Sequence, residues 1–134
     1  LLSTKDIFII FLITVVFFAV ILVFSLEFMN NKKINNSKKN FNIVKEELSK
    51  EVIKCKGKEQ IWIFGISCEE TPTINIISDY FNKIKKLKNP HDNLDGMAGS
   101  PGSVQITIVD SFFILSIDTD ANGGIDFYHK INFK

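Results

Sequence analysis

The residues best suited to chemistry lie near the end of the chain. Asp118-Thr119-Asp120-Ala121-Asn122-Gly123-Gly124-Ile125-Asp126 has the D-x-D-x-N-G-x-I-D spacing of the first nine positions of an EF-hand loop. Alternate oxygen donors in a tight loop converge on one point, as a hard divalent cation requires. Asp118, Asp120, Asn122 and Asp126 are therefore candidate calcium ligands. The twelfth position, where a bidentate Glu would close the site, is His129, and both flanks read as strand rather than helix. The segment is not an EF-hand. It is a calcium loop of another kind or a hairpin turn, in which Asn-Gly and Asp are favoured for their backbone conformations. No cofactor is required by anything else in the sequence.

No other constellation points to catalysis, and the chain reads as a non-enzyme. His91 and His129 have no serine or cysteine arranged near them as a triad would need. Glu69 and Glu70 are adjacent, and neighbours on an extended chain point to opposite sides. Gly96, Gly99 and Gly102 precede a strand-like segment instead of following one, so they read as turn residues and not as a phosphate cradle. The two cysteines, Cys55 and Cys68, flank the apolar stretch IWIFGI without a histidine partner for zinc. An even count in a small domain suggests a disulfide and an oxidising compartment.

The remaining charge of interest is Asp6. It sits at the tip of a run, Ile7 to Leu26, with no charge, glycine or proline. Twenty helical residues span roughly 30 Å, the thickness of a bilayer core. A cleaved secretory signal would have a shorter apolar region and a small-residue site, whereas this run ends in Phe24-Ser25-Leu26-Glu27-Phe28. The segment is expected to be retained. A carboxylate at such a tip is costly unpaired and much less so beside an ammonium. In the first helical turn it also gains from the helix dipole.

The formal charge of +1 hides an uneven distribution. Nine lysines lie between Lys32 and Lys58 against Glu46, Glu47 and Glu51. They read as a solvated face or as partners for acids on a neighbouring copy, with DNA or an anionic surface as the alternative. Lys32, Lys33, Lys38 and Lys39 follow the apolar run while only Lys5 precedes it. The positive-inside rule would place the C-terminal part in the cytoplasm, against the disulfide. A basic leader before Leu1, later removed, reconciles the two.

The elements that must position these groups follow from periodicity. Beyond Asn31 the apolar positions Ile34, Phe41, Val44, Leu48 and Val52, with Ile43 and Ile53 alongside, recur at helical spacing. Gly57 suits a C-terminal cap. One helix is expected from near Leu2 to about Lys56, roughly 80 Å long, weakest at Asn30-Asn31 and Asn35-Asn36-Ser37. Gln60–Ile66 reads as a short strand or extended loop. Thr71 as N-cap with Pro72 at the first helical position opens a second helix, with Ile74, Ile77, Phe81, Ile84 and Leu87 facing inward, ending at Lys88-Asn89-Pro90. His91 to Gly102 is a loop. Three antiparallel strands follow: Val104 to Ile108, Phe112 to Ile117, and an alternating run from Ile125 through Phe127, His129, Ile131 and Phe133. Asp110-Ser111 and Asp118–Gly124 are the turns. The plan is α+β: a long N-terminal helix, apolar then amphipathic, a short second helix and a small C-terminal antiparallel sheet. Residues 1–30 form the apolar helix and 31–134 the head.

This arrangement resembles the type IV pilin family. The points of likeness are the apolar N-terminal helix with one acid near its start, its amphipathic continuation, the Cys-bounded loop and the C-terminal sheet. FMNNKKINNSKKNFNIVKEELSKEVIKC is similar to the stretch that carries the pilin helix beyond its apolar half. KNPHD before a glycine-rich loop is similar to the KNP-Y/F-D segment of a group of small bacterial pilins. The resemblance implies a structural subunit that waits in the inner membrane, is extracted by the inner-membrane assembly machinery, and joins copies of itself in an extracellular surface filament. It implies that Asp6 neutralises the N-terminal amine of a neighbouring copy, and that Phe8, Phe11, Val15, Phe18 and Val23 make subunit contacts. The family residue is normally Glu. Leu2-Ser3-Thr4-Lys5 replaces an apolar-plus-threonine opening, Lys5 offers Asp6 a partner in its own chain, the numbering is one residue out of register, and the usual helix-weakening Gly and Pro are missing. A pseudopilin or minor pilin of a secretion or DNA-uptake apparatus, and a single-pass membrane-anchored periplasmic binding protein, are the alternatives.

Overall fold

The structure is a computed structural model that describes residues 1–57 and 60–134. Lys58, the last of the lysine series, lies outside the described residues. The elements are α1 (Thr4–Lys56), α2 (Ile74–Asp79), a π-helical turn (Tyr80–Ile84), and strands β1 (Val104–Val109), β2 (Phe112–Ile117) and β3 (Phe127–Asn132). This is the expected α+β layout of one long helix, a short helix and a three-stranded antiparallel sheet. The chain divides into two units, Leu1–Lys32 and Lys33–Lys134.

In the second unit α1 is amphipathic. Phe41, Val44, Leu48 and Val52 are buried at steps of three and four. Ile34 and Ile43 are half-buried, and Ile53 is turned to solvent at 70% exposure. Two polar residues share the buried face. Ser37 donates its hydroxyl to the Gly102 carbonyl at 3.3 Å. Glu51 accepts from Lys54 Nζ and from the Ile63 amide, both at 2.8 Å. The helix runs unbroken through the asparagine clusters, where a weak point was expected. Asn30, Asn31, Asn35 and Asn36 stand exposed on it, Ser37 is fully buried against the head, and the Asn40 side chain beyond them donates to the Lys88 carbonyl at 2.7 Å. Lys56 ends the element, with the Gly57 amide reaching the carbonyls of Ile53 and Lys54.

Cys55 and Cys68 are disulfide-bonded, with Cα atoms 5.2 Å apart. Of the segment between them, residues 60–66 form a tight reversal and not a strand. The Gly65 amide donates to the Trp62 carbonyl with Gly65 at φ +82°, a conformation that favours glycine. Trp62 is buried, its indole N–H on the Glu70 carbonyl at 3.0 Å, and its ring meets Phe113 edge-on.

The second helix begins later and ends earlier than its spacing suggests. Thr73, not Thr71, is the N-cap: its Oγ1 accepts from the Ile76 amide at 3.3 Å. After Asp79 the backbone widens into the π turn, which stops before Lys86, whose φ is +54°. Widening shifts the inward face. Ile77, Tyr80 and Phe81 are buried, whereas Ile84 is 68% exposed and Leu87 is buried from the following loop. The Asn82 side chain holds that loop by donating to the Met97 carbonyl and accepting the Met97 amide, both at 2.8 Å.

The sheet is a meander in the order β1-β2-β3. Asp110, with φ +53°, and Ser111 make the first turn, pairing Val109 with Phe112. Central β2 places Phe113, Leu115 and Ile117 in the core, beside Val104 and Ile106 of β1 and Ile131 of β3. These join Val44, Leu48, Ile77 and Phe81 in one cluster. Ile125 was expected to open β3. It is 68% exposed, because the preceding turn extends to Asp126, whose amide donates to the Ile117 carbonyl at 2.9 Å.

Candidate functional site

Two places carry the functional candidates. The first is the unit Leu1–Lys32, which has no buried residue. Its helix starts with a reciprocal cap. Ser3 Oγ accepts from the Asp6 amide at 3.3 Å, and Asp6 Oδ2 accepts from the Ser3 amide at 2.9 Å and the Ser3 hydroxyl at 2.7 Å. This is a capping box with Asp in the place usually held by Glu or Gln. The S-x-x-D spacing was visible in LLSTKD, but the resemblance drew attention to the acid alone. Lys5 makes no ion pair with Asp6 among the described residues. Both Ser3 bonds fall on Oδ2, and no described donor lies on Oδ1.

Past the cap, every large apolar side chain from Ile7 to Met29 is exposed. Thr14, the polar residue in mid-run, turns its hydroxyl back onto the Ile10 carbonyl at 2.8 Å and so presents little polarity outward. Leu12, Ile13, Val16, Phe17 and Val20 line a shallow groove of about 370 Å³. Val16, Ala19, Val20, Val23 and Phe24 line the next, of about 330 Å³. These rows at i and i+4 are the grooves into which ridges of another helix pack. Val23 lines the second groove; Phe8, Phe11, Val15 and Phe18 stand exposed on the helix. The helix is long and apolar enough to cross a membrane, or to serve as a signal sequence.

The second place is the turn between β2 and β3. It brings Asp118, Asp120 and Asp126 together, with one carboxylate oxygen of each within 4.8 Å of the others. Each carboxylate already has donors inside the loop. Asp118 Oδ2 accepts from the Gly123 amide at 2.6 Å and Oδ1 from the Asn122 amide at 3.2 Å. Asp120 accepts from the Asn122 amide and side chain. Asp126 Oδ2 accepts from the Thr119 hydroxyl at 2.6 Å and amide at 2.7 Å. The Thr119 hydroxyl, then its amide, hold the Asp126 carboxyl below its usual range, with smaller help from Lys38. Asn122 spends its Oδ1 on the Gly124 amide. Ala121 and Gly123 take positive φ, as a tight reversal requires. Hydrogen bonds within the loop therefore account for its acids as turn residues.

This turn is tied to the His91–Gly102 loop. His91 Nε2 lies 2.7 Å from the Thr119 carbonyl, so His91 is a connector and not a free surface histidine. Asn89, fully buried, donates to the Pro101 carbonyl at 2.8 Å and accepts the His91 amide at 3.0 Å. Gly102 has φ +85°, and a Cβ there would come 2.6 Å from Asn89 Oδ1. Ser37 and Glu51 fall on the helical stripe of Phe41 and Leu48, but their polarity hides their burial, and nothing local signals the bonds of Asn82 and Asn89 to the following loop. His129 is half-buried on β3, opposite Leu115 of β2. Comparison with protein-family models, with curated proteins and with solved structures found no match.

Proposed function

We propose that the protein is a pilin-like structural subunit, held in a membrane by its N-terminal helix and then packed through that helix against copies of itself in a surface filament. The observation that carries this reading is the unit Leu1–Lys32: an uninterrupted helical surface of exposed Leu, Ile, Val and Phe, grooved at i, i+4 spacing and closed by a capped acid. Water is a poor solvent for such a surface. Each large side chain gains about 1.5–3 kcal/mol on leaving it, and lipid or a second apolar helix supplies the alternative. Asp6 has a role in both settings. Its Oδ2 caps its own helix, and its Oδ1 is left to accept an ammonium from the N-terminus of another copy in the filament. The head, residues 33–134, is displayed outside the cell, where the Cys55–Cys68 disulfide is stable.

The test is to shear fibres from the surface of cells that express the chain and identify their repeating unit by electron microscopy and mass spectrometry. Fibres built from this chain support the reading. Fibres without it, with the chain remaining in the membrane fraction, favour a single-pass anchored binding protein. One observation favours that second reading: an open cleft of about 360 Å³ in the head, lined by Ile74, Asn75, Ser78, Gly99, Gln105 and Thr107 among others.

A further inference from the structure

We infer that Lys32, Lys33, Lys38 and Lys39 form a girdle that binds the phosphate groups of an anionic phospholipid surface. The inference rests on the membrane reading above and adds a partner chemistry to it. Between Glu27 and Glu46 the chain has five lysines and no acid, and these four open the series. They belong to α1. At 3.6 residues per turn, Lys33, Lys38 and Lys39 lie about 100°, 240° and 340° around the helix from Lys32. Ser37, buried against the head, falls at about 140°, with Lys33 half-buried beside it, so the charges spread over the rest of the circumference. A groove-binding helix for duplex DNA needs its cations on one side, whereas a helix leaving a headgroup layer meets phosphates on every side that the head leaves open.

The ammonium groups are also available. The ion pairs are made by Lys54, Lys83, Lys85 and Lys88. Lys38 lies 5.6 Å from the Phe127 ring centroid and acts weakly on Asp126. Lys32, Lys33 and Lys39 have no acidic partner among the described residues.

Direction and depth agree with this partner. Helical side chains lean toward the N-terminus, so these lysines lean toward the apolar run that precedes them, and their stems can lie along apolar surface while the charge stays in the headgroups. Lys32 follows Leu26 by six residues, about 9 Å of helix, against a headgroup layer of about 5–8 Å. Lys32 and Lys33 thus reach the phosphates directly. Lys38 and Lys39, two turns on, remain where the negative surface potential still acts. Asn30, Asn31, Asn35 and Asn36 add amide donors to the same zone.

The test uses the full chain, reconstituted in vesicles of phosphatidylcholine mixed with an equal part of phosphatidylglycerol. It is floated, extracted in mild detergent, and its retained lipid counted by mass spectrometry. The wild type should retain phosphatidylglycerol over phosphatidylcholine by about tenfold, falling as salt rises. The variant Lys32→Gln/Lys33→Gln/Lys38→Gln/Lys39→Gln should fall to near parity, while Lys56→Gln/Lys86→Gln keeps the preference. Flotation with no lipid preference in the wild type, or an unchanged preference in the fourfold variant, overturns the girdle and leaves the membrane reading standing. Failure to float with vesicles overturns both. Retention of a fluorescent DNA duplex by the wild type, without lipid preference, assigns the lysines to nucleic acid and overturns the girdle.

Discussion

The units Leu1–Lys32 and Lys33–Lys134 share α1 but satisfy its side chains in opposite ways. From Ile7 to Met29 every large apolar side chain is exposed; in the second unit Phe41, Val44, Leu48 and Val52 are buried. The head buries an apolar core of its own, while the N-terminal unit has no buried residue. Their polar groups differ in the same sense. Ser37 and Glu51 reach Gly102 and Ile63 outside the helix, Glu51 holding Lys54 within it as well, whereas Ser3, Asp6 and Thr14 bond only within their own helix.

The sharpest way to break this contrast is a pair of cavity mutations. Phe113→Ala, in the centre of the sheet, should cost the head about 3–5 kcal/mol, read by denaturant unfolding followed through Trp62. Phe18→Ala should leave that transition unmoved. A comparable loss from both would mean that the N-terminal unit is structural to the head.

Next in size, removing the Cys55–Cys68 bond by the double Ser substitution should cost about 3 kcal/mol, the entropy of a short closed loop. An unchanged midpoint would show that the Glu51 bonds hold the loop without it.

Smaller again, Ser37→Ala should cost about 1 kcal/mol for a lost buried hydrogen bond, and Ser25→Ala in the apolar run nothing measurable in head unfolding.

Two pH effects belong to the head alone. Asp126 has its pKa lowered, so its contribution is present above the unfolded carboxylate value near 4 and is lost as pH falls through the folded value. Asp126→Asn should remove that acid limb from a plot of midpoint against pH. Lys85 has its pKa raised, first by its bond to Glu47, so its contribution is present below about 10.4 and is lost as pH rises above that. Glu47→Gln should flatten the alkaline limb. The smallest effect is expected from calcium. Because the turn supplies its acids with their own donors, millimolar calcium should leave the melting temperature of the head unchanged, and a rise of several degrees would restore a metal to Asp118, Asp120 and Asp126.

Much of this architecture was legible in periodicity. The helical stripe Phe41 to Val52, the alternation in β1 and β2 and the uncharged run from Ile7 each report a side chain's environment through its nearest neighbours. Legibility failed where a choice depended on distant residues. Thr71 and Thr73 are equal caps by local chemistry, and packing of buried Pro72 accompanies the later start. The π turn at Tyr80 cannot be read from a pattern that assumes 3.6 residues per turn; it buries Tyr80 and turns Ile84 outward. The interior bonds of Asn82 and Asn89 hold a loop that composition marks only as irregular. At the candidate sites, the spacing of the acids and their fitness for a turn were readable, but which backbone amides each would accept was not. The Ser3–Asp6 cap was legible and is a reminder that a charge at a helix start has a local use before a distant one.

The central claim is that the apolar unit joins copies of the chain. The measurement that tests it most directly is electron microscopy of fibres sheared from cells carrying Val16→Asp, beside cells carrying Ile53→Asp. Val16 lines both grooves of the apolar helix, and Ile53 is an exposed residue of the head. A carboxylate at mid-run costs about 3 kcal/mol per copy in lipid. The account predicts no fibres containing the Val16→Asp chain and normal fibres from Ile53→Asp. Intact fibres built from the Val16→Asp chain would contradict it.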